Sequence, residues 1–373
     1  MYAGRVGTGF DDAGLRTLHQ RLQARARDDV QVEVPKHTRL PARSVHWVAP
    51  EMVVEVAFRG VGKEGLLRHP SFVRVRDDKS VADLGLRQGG DVTISSPQRI
   101  VYPKRKITKQ QVADYYREIA PLLLPEVRDR PLSLLRCPDG VAGQCFFQKH
   151  HAASLGRRVR IVPIAEKGGG QAEYLSVSDA DGLLELVQMN VLEFHPWGSR
   201  ADDPERPDRI VFDLDPGDGV PWNDVKAAAR DIGDKLDGAG LRSWLRLTGG
   251  KGVHLVVPFE RGPSWDDVKS FCGAFAGALA AHEPLRYVSV AAKNKRSGKI
   301  FVDWLRNGRG ATSVCSWSLR AREGASVAVP LRWEEFGRVR RPDAYDLRGA
   351  LRRAAALGDD PWAELARCRQ RLP

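Results

Sequence analysis

The sequence lacks any apolar run of about 18 residues, the minimum length for a membrane-spanning helix. It also lacks a basic amphipathic helix, so an anionic membrane surface is the weaker explanation of its charge. The N-terminus has no charged segment that leads into an apolar stretch and a small-residue cleavage site, as secretory signals do. We therefore predict no membrane association and expect the cytoplasm as the compartment.

Cysteine is scarce, with five residues: Cys137, Cys145, Cys272, Cys315 and Cys368. No two have the Cys-x-x-Cys spacing of zinc ligands, and the odd number suggests no disulfide framework. We expect reduced, mostly structural thiols. Internal repeats and low-complexity tails are also missing, so any chemistry must come from separated motifs that converge in the fold.

Acidic residues are outnumbered by basic ones, 47 to 59, which gives a formal net charge of +12. This balance favours polyanionic partners such as nucleic acid. Apolar residues make up 42% of the chain and charged residues 28%, as in ordinary folded proteins. The 373 residues are enough for roughly two domains.

The chain divides by pattern into two parts. Residues 1–79 contain short alternating apolar stretches, such as Val30–Val34 and Met52–Phe58, which predict small strands and a compact β-barrel. Residues 80–94 lose this periodicity and carry loop formers, so we predict a linker there. Residues 95–373 mix helical and strand patterns.

The pattern predicts one helix before and one helix after the strand-like segment at residues 209–217. Thr108 begins a capping box, and the helix that follows is expected to end by Pro121. A second helix should start at about Asn223 and stop at Gly238 or Gly240.

The segment Arg209–Gly217 is a run of strand formers that contains two aspartates. Because side chains alternate along a strand, Asp213 and Asp215 must point to the same side. Adjacent carboxylates repel unless a cation lies between them, and their hard oxygen ligands suit magnesium or manganese. For an isolated Asp-x-Asp, a solvated strand end is at least as good an explanation.

A third aspartate, Asp303, interrupts the apolar run Lys299–Leu305. Burying it without a partner would be costly, so it needs a cation or a hydrogen bond. Three acids on neighbouring strands would form a site for two metal ions, which can activate an attacking 3′-oxygen and stabilise departing pyrophosphate.

A glycine-rich turn, Leu247–His254, joins two further strand-like runs. Its glycines allow backbone N–H groups to approach an anion, and Lys251 adds a positive charge. The spacing differs from that of a Walker loop. A plain hairpin with a structural His254 is an equally good explanation of this segment alone.

Basic residues surround Asp303, which is the one acid between residues 286 and 322. A triphosphate or a nucleic-acid backbone would need such an excess, although charge runs usually form solvated faces. Phe146 and Phe147 precede Lys149; we expect one of them in the core and the other available to stack on a base. The nine basic residues of this run are Arg286, Lys293, Lys295, Arg296, Lys299, Arg306, Arg309, Arg320 and Arg322.

Together these motifs resemble the polymerase domain of bacterial DNA ligase D, a member of the archaeo-eukaryotic primase superfamily. The similarity runs from about Ile94 to near the C-terminus. It is carried, in the family's order, by Arg99–Pro103, Phe146–Lys149, Glu193–His195, Asp213–Pro216, Gly249–His254 and Leu305–Gly310. The resemblance implies an α/β (α+β) catalytic domain over 95–373, with central mixed and antiparallel sheets.

The resemblance also implies roles for individual residues. Asp213, Asp215 and Asp303 would ligate Mn²⁺ or Mg²⁺, and His195 would lie beside the incoming nucleotide. The triphosphate of that nucleotide would be held by Thr248, Lys251, His254 and Arg320. Lys104 and Lys109 would bind the 5′-phosphate of gapped DNA, and Phe146 and Phe147 would contact its template strand. The cations Lys149 and Arg306 would also bind the DNA.

Residues 1–79 resemble a different module, the C-terminal OB-fold part of an ATP-dependent DNA ligase. Tyr2–Phe10, Arg68–Phe72 and Arg76–Lys79 carry this match. A ligase also needs a nucleophilic lysine, typically in Lys-x-Asp-Gly, and we predict that the chain carries no such nucleophile. We therefore expect no ligation by this chain alone, whether the segment binds DNA or is a remnant of a ligase.

The leading hypothesis is a template-directed polymerase that adds ribo- or deoxynucleotides at gaps and broken DNA ends during non-homologous end joining. The implied partners are DNA, nucleoside triphosphates, Ku and a separate ligase core. The protein would then be associated with the nucleoid. Two alternatives remain: a catalytically inactive DNA-binding accessory protein, and a metal-dependent nuclease.

Overall fold

The computed structural model of the chain describes residues 4–27, 45–49, 51–58, 60–61, 67–77, 92–150, 158–166 and 168–373. The chain separates into two compact units, Met1–Leu86 and Arg87–Pro373. The strand predicted at Val30–Val34 and most of the predicted linker lie outside the described residues. No helix among the described residues combines the length and the apolar character needed to span a bilayer.

Short antiparallel strand pairs characterise the N-terminal unit, where β3 confirms the strand predicted around Met52–Phe58. A helix that the pattern did not reveal accompanies them; the Asp11 carboxylate caps it by accepting from the Gly14 N–H at 2.6 Å. The Phe10 ring stacks on Phe72 with centroids 4.6 Å apart. The elements are α1 (Asp12–Gln23), β1 (Ala26–Arg27), β2 (Trp47–Val48), β3 (Val54–Ala57), β4 (Gly60–Val61), β5 (Leu67–Arg68) and β6 (Ser71–Val75).

The C-terminal unit mixes helices with antiparallel sheets, as predicted. Its helices are α2 (Lys109–Val127), α3 (Ala180–Gln188), α4 (Trp222–Gly238), α5 (Trp265–His282), α6 (Trp333–Phe336) and α7 (Leu347–Ala356), with 3₁₀ turns at Pro103–Arg105, Lys293–Lys295, Leu305–Asn307 and Leu365–Arg367. Helix α4 confirms the second predicted helix.

Most strands of this unit belong to two main sheets, and four of them form two separate short pairs. In chain order, the strands of the unit are β7 (Ile100–Tyr102), β8 (Ile107–Thr108), β9 (Leu132–Arg136), β10 (Phe146–Gln148), β11 (Arg160–Ala165), β12 (Gln171–Ser176), β13 (Val191–Pro196), β14 (Ser199–Arg200), β15 (Asp203–Pro207), β16 (Arg209–Pro216), β17 (Trp244–Leu247), β18 (Val253–Pro258), β19 (Tyr287–Val288), β20 (Ile300–Asp303) and β21 (Val329–Leu331).

The first sheet runs β10-β9-β12-β11, with β13 paired to β9. Phe194 of β13 is fully buried and meets the Tyr116 ring of α2 edge to face at 5.1 Å. Since side chains alternate, Glu193 and His195 are directed to the opposite face. The packing of Phe194 on α2 therefore fixes where these two polar residues point.

The second sheet runs β19-β20-β16-β18-β17-β21, and all its pairs are antiparallel except β19 with β20. Its central strand, β16, reads Ile-Val-Phe before the first aspartate, and such residues favour buried strands. The Phe212 ring packs against Phe275 of α5, with centroids 5.0 Å apart. Its neighbours along the strand must therefore face the other side of the sheet.

Helix α2 does not end by Pro121, as the sequence predicted, but continues to Val127 through two prolines. The capping box of Thr108 and Gln111 is present as expected. A proline inside a helix costs roughly 3 kcal/mol. Leu123, Leu124 and Val127 follow Pro121 and are fully buried, and the burial of each contributes about 1.5–3 kcal/mol. Together these contributions are of the size needed to offset the cost of both prolines.

The expectation of reduced thiols is wrong for one pair, because Cys137 and Cys145 form a disulfide. Cys137 directly follows β9 and Cys145 directly precedes β10, next to Arg136 and Phe146, which face each other in register. Antiparallel pairing thus brings them together without any Cys-x-x-Cys spacing. Cys272, Cys315 and Cys368 are free.

One Lys-x-Asp-Gly string does occur in the chain, at Lys235–Gly238, and it forms the end of α4. Lys235 is ion-paired with Asp231 and lies 3.6 Å from Glu283. A lysine that is ion-paired on a regular helix differs from the accessible nucleophile of a ligase, so this string gives no ground to assign one.

Leu124→Ala should lower the free energy of unfolding by about 2–5 kcal/mol, because it would leave a cavity between the two prolines of the helix. Glu118→Ala, on the exposed side of the same helix, should change it by less than about 0.5 kcal/mol. Urea unfolding of both variants measures the difference. A loss below about 1 kcal/mol for Leu124→Ala would mean that the last turn of α2 contributes little packing.

Candidate active site

The central feature of the site is a row of residues that face one another across the second sheet. Asp213 on β16 is in register with Asp303 on β20 and with His254 on β18. Directly opposed residues of antiparallel strands share a face of the sheet. Pairing alone therefore brings together two predicted carboxylates and a predicted phosphate-binding histidine that are far apart in the chain.

Asp215 lies two residues after Asp213 and hence on the same face. Its Oδ2 accepts a hydrogen bond from Arg296 Nη1 at 3.0 Å. The Arg296 guanidinium also lies over the Phe301 ring, 3.9 Å from the centroid. The three predicted carboxylates thus share one face, with a cation held beside the outermost of them.

A second arginine lies against the other two carboxylates. Arg306, in the 3₁₀ turn after β20, places its Nε 3.1 Å from Asp303 Oδ2 and 3.9 Å from Asp213 Oδ2. Among the described residues, no group of three or more histidine, cysteine, aspartate or glutamate side chains already has the geometry of a metal site. Guanidinium groups neutralise the acids in this state.

The chemistry of the donor set fits a divalent cation. Burial raises the pKa of both Asp215 and Asp303, and the negative charge of Asp213 raises each of them further. For Asp213 itself, burial acts to raise the pKa, but His254 and Arg306 lower it overall. Carboxylates that destabilise one another in this way are stabilised by a metal between them.

The glycine turn lies close against the carboxylate strand. Gly249 has a φ of +66°, a conformation that favours glycine, and a Cβ at Gly252 would collide with the Leu214 carbonyl oxygen. The Thr248 hydroxyl donates to the Gly252 carbonyl at 2.9 Å and accepts from the Gly250 N–H at 3.2 Å. Its first role is to hold this turn in shape.

A cavity of about 450 Å³ opens between the two sheets at this point. His254 and Thr248 are buried in its wall, whereas the Lys251 side chain is 69% exposed at the rim. The predicted residues that line it are Phe147, His195, Asp213, Asp215, Thr248, Lys251, His254, Arg306 and Arg320. A larger cavity of about 510 Å³, beside Arg209 and Trp362, contains none of these residues.

Glu193 is a residue of the site to which the sequence assigned no role. Its Oε2 accepts from His195 Nε2 at 2.8 Å and from Arg320 Nε at 3.0 Å, and its Oε1 accepts from the Ala321 N–H at 2.7 Å. Burial acts to raise the pKa of Glu193, but the hydrogen bond from His195 and the charge of Arg320 lower it to about 2. An ionised Glu193 therefore holds both predicted nucleotide-binding side chains.

The phenylalanine pair differs from expectation, because neither ring is in the core. Phe146 is 42% exposed and Phe147 is 56% exposed. Phe147 meets the His195 ring edge to face at 5.3 Å and lines the cavity. Phe146 lies under the Arg136 guanidinium instead, and Lys149 is exposed beyond it.

The predicted 5′-phosphate residues do not line the cavity. Lys104 is exposed and lies 3.3 Å from Glu323. Lys109, in the first turn of α2, is only 4% exposed, and burial together with the charge of Arg99 lowers its pKa. Arg99, not assigned a role from sequence, is half-buried and donates to Asn190, but its buried Nε has no partner among the described residues. Two neighbouring cations thus lie here with no ion pair to a described acid.

Two family models match the chain. Residues 108–362 match the family described as "LigD, primase-polymerase domain". Residues 1–79 match the family described as "ATP dependent DNA ligase C terminal region". Both resemblances inferred from the motifs are thereby confirmed.

Individual proteins support the same assignment. The Multifunctional non-homologous end joining protein LigD of Pseudomonas aeruginosa is 39% identical over 398 residues, covering 100% of this chain and 46% of that protein. The protein of the same name from Mycolicibacterium smegmatis is 32% identical, covering 68% and 33%. The chain thus spans less than half the length of these relatives.

A solved structure matches the fold of the C-terminal unit. It is the "Polymerase Domain from Mycobacterium tuberculosis Ligase D in complex with DNA". The TM-score is 0.67 at 30% sequence identity, and the match covers 72% of this chain and 96% of that one.

The pairing of Glu193 makes stability depend on pH. Its folded pKa of about 2 lies below the ordinary value of 4.5, so its contribution is complete above about pH 4.5 and disappears as the pH falls towards 2. Glu193→Gln should cost roughly 3–5 kcal/mol at pH 7. Urea unfolding measures the difference in the free energy of unfolding between this variant and the unmodified protein, and this difference should decrease below pH 4.5. A difference that increases with acidification would contradict an ionised Glu193.

Proposed function

Because the chain belongs to the LigD primase-polymerase family, we propose that it is a template-directed nucleotidyltransferase. It would add ribo- or deoxynucleotides at gaps and broken ends of DNA during non-homologous end joining. The observation that carries this proposal is the register of β16, which pairs Asp213 with both Asp303 and His254. Asp213 and His254 also line one cavity.

Asp213, Asp215 and Asp303 would hold Mn²⁺ or Mg²⁺. When bound, these ions would activate the attacking 3′-hydroxyl and stabilise the charge of the departing pyrophosphate. Arg306 is half exposed, and its side chain can leave the carboxylates at little cost. Released in this way, Arg306 becomes a cation that faces the phosphates of the nucleotide or the DNA.

The other wall of the cavity would receive the nucleotide. Arg320 is fixed through Nε by Glu193 and through Nη1 by the Thr248 carbonyl, which leaves its Nη2 as a donor for a phosphate oxygen. Lys251, exposed at the rim, can reach the same triphosphate. His195 is oriented by its hydrogen bond to Glu193, and Phe147 lies beside it. The two rings would contact the sugar and the base of the nucleotide.

The 5′-phosphate of the strand across a gap would bind between Arg99 and Lys109. These two cations lie near each other without an ion pair to a described acid, and Lys109 is at the N-terminus of a helix, whose dipole also favours an anion. Lys104 at the surface would add to the attraction. The rest of the DNA would be bound by Phe146, Lys149 and the basic residues between positions 286 and 322.

The relatives are named as non-homologous end joining proteins, and the similar solved polymerase domain is a complex with DNA. We propose gapped or broken DNA with 5′-phosphates as the partner of this chain, together with Ku. A separate ligase core would seal the product.

Asp213→Asn should lower template-directed primer extension in the presence of Mn²⁺ by at least about 100-fold, because it removes the central charge of the metal-binding set. Asp237→Asn, at an exposed acid near the end of α4, is the matched control and should leave extension unchanged. Undiminished extension by Asp213→Asn would remove the proposal. DNA degradation would indicate a nuclease, and binding without extension an accessory protein.

Lys109→Ala should abolish the preference for a gap that carries a 5′-phosphate over one with a 5′-hydroxyl. We expect a change of at least about ten-fold in the ratio of the two dissociation constants, because a charged hydrogen bond is lost. Fluorescence anisotropy at fixed salt measures both constants. Lys269→Ala removes an equal, exposed charge from α5 and should keep the preference; retention of the preference by Lys109→Ala would exclude this pocket.

A further inference from the structure

The row of facing residues across the second sheet has a fourth member. Arg246 on β17 is in register with His254, on the side away from Asp213. Its exposed fraction is 1%, so it is among the most deeply buried large side chains of the chain. A charged residue placed there needs a reason, because burial of an unpaired guanidinium is costly.

Arg246 is bound on both sides. Its Nε lies 3.2 Å and its Nη2 3.0 Å from the same atom, His254 Nδ1. Its Nη1 donates to Glu126 Oε1 in the last turn of α2. Glu126 is in turn held by the Ser316 N–H, which donates to its Oε2 at 2.8 Å. The buried chain therefore runs from Glu126 through Arg246 to His254.

This geometry determines which nitrogen of His254 carries the proton. A guanidinium has only donors and cannot be deprotonated in a protein. His254 Nδ1 must therefore accept, and the ring hydrogen must be on Nε2. That nitrogen lies 3.5 Å from Asp213 Oδ2, at the wall of the candidate nucleotide cavity. The imidazole thus presents a donor, not a lone pair, to whatever enters the cavity.

We infer that Arg246 is a positioning residue, which holds His254 as an Nε2–H donor towards the triphosphate, and that Glu126 in turn positions Arg246. The assignment of the triphosphate rests on the proposed function; the assignment of the tautomer does not. Arg246 touches neither nucleotide nor metal ligand in this arrangement and acts through His254. A lysine could donate to Nδ1 but could not bridge to Glu126 with a second nitrogen.

The structure offers a matched control in Arg209. Its Nη1 lies 3.4 Å from the same Glu126 Oε1, and its Nη2 donates to the backbone carbonyls of Glu126 and Trp197. Like Arg246 it is buried, but no contact among the described residues joins it to His254. Replacement of either arginine should destabilise the protein, and only replacement of Arg246 should change His254.

The decisive measurement is the ¹⁵N chemical shifts of His254 in the full chain labelled at histidine, recorded without nucleotide or metal. The unmodified protein and Arg209→Met should show an unprotonated Nδ1 and a protonated Nε2. Arg246→Met should show a mixture of tautomers, and Arg246→Lys should restore the Nε2–H form in part. Arg246→Lys also keeps the test open if Arg246→Met fails to fold.

The functional consequence is measured on the same variants with a nucleoside triphosphate and a gapped template. Arg246→Met should raise the KM for the nucleotide by about ten-fold or more, with a smaller change in kcat, because a hydrogen bond to a charged phosphate is weakened. Arg209→Met should leave KM unchanged.

An Nδ1–H ring in the unmodified protein, or an unchanged tautomer in Arg246→Met, would overturn the inference. An equal rise in KM for Arg209→Met would reduce Arg246 to a structural role. If the tautomer shifts as expected but the unmodified chain incorporates no nucleotide, the proposed function fails while the positioning of His254 stands.

Discussion

The strand register of the six-stranded sheet is the constraint on which the rest of the site depends. Asp303, Asp213, His254 and Arg246 face one another on four neighbouring strands, so backbone hydrogen bonds set their spacing. A slip of one residue on any of these strands would turn its member of the row to the opposite face. The buried alternate residues, such as Phe212 against Phe275, resist that slip.

The balance of charges in the site is a second constraint, and it is a consequence of the strand register. The register forces acids together, and arginines from the loops, Arg296 and Arg306, lie against them. At two other places the signs are reversed: the buried Glu193 and Glu126 hold Arg320 and Arg246 in position. Arg320, directed at the cavity, and Arg246, behind His254, are therefore each oriented by an anion, which is the arrangement that electrostatic stabilisation requires.

The sequence predicted the parts of the site that depend on local periodicity. Alternation along one strand placed Asp213 and Asp215 together, and an aspartate within an apolar run identified Asp303. Glu126 and Arg246 escaped notice because they pair over 120 residues of chain, from the end of a helix to a neighbouring strand. The last turns of α2 were not predicted, because the burial of their side chains in the core overrides the local tendency of proline to end a helix. The Cys137–Cys145 pair depends on hairpin pairing that spacing does not reveal.

The central claim is that Asp213, Asp215 and Asp303 form a shared metal site that faces the nucleotide. Crystals grown with Mn²⁺ and a non-hydrolysable nucleoside triphosphate test it by anomalous diffraction at the manganese edge. The account predicts manganese peaks bound by Asp213, Asp215 and Asp303, with phosphate oxygens directed to His254 and Arg320. Manganese located elsewhere, or a triphosphate bound away from this cavity, would contradict it.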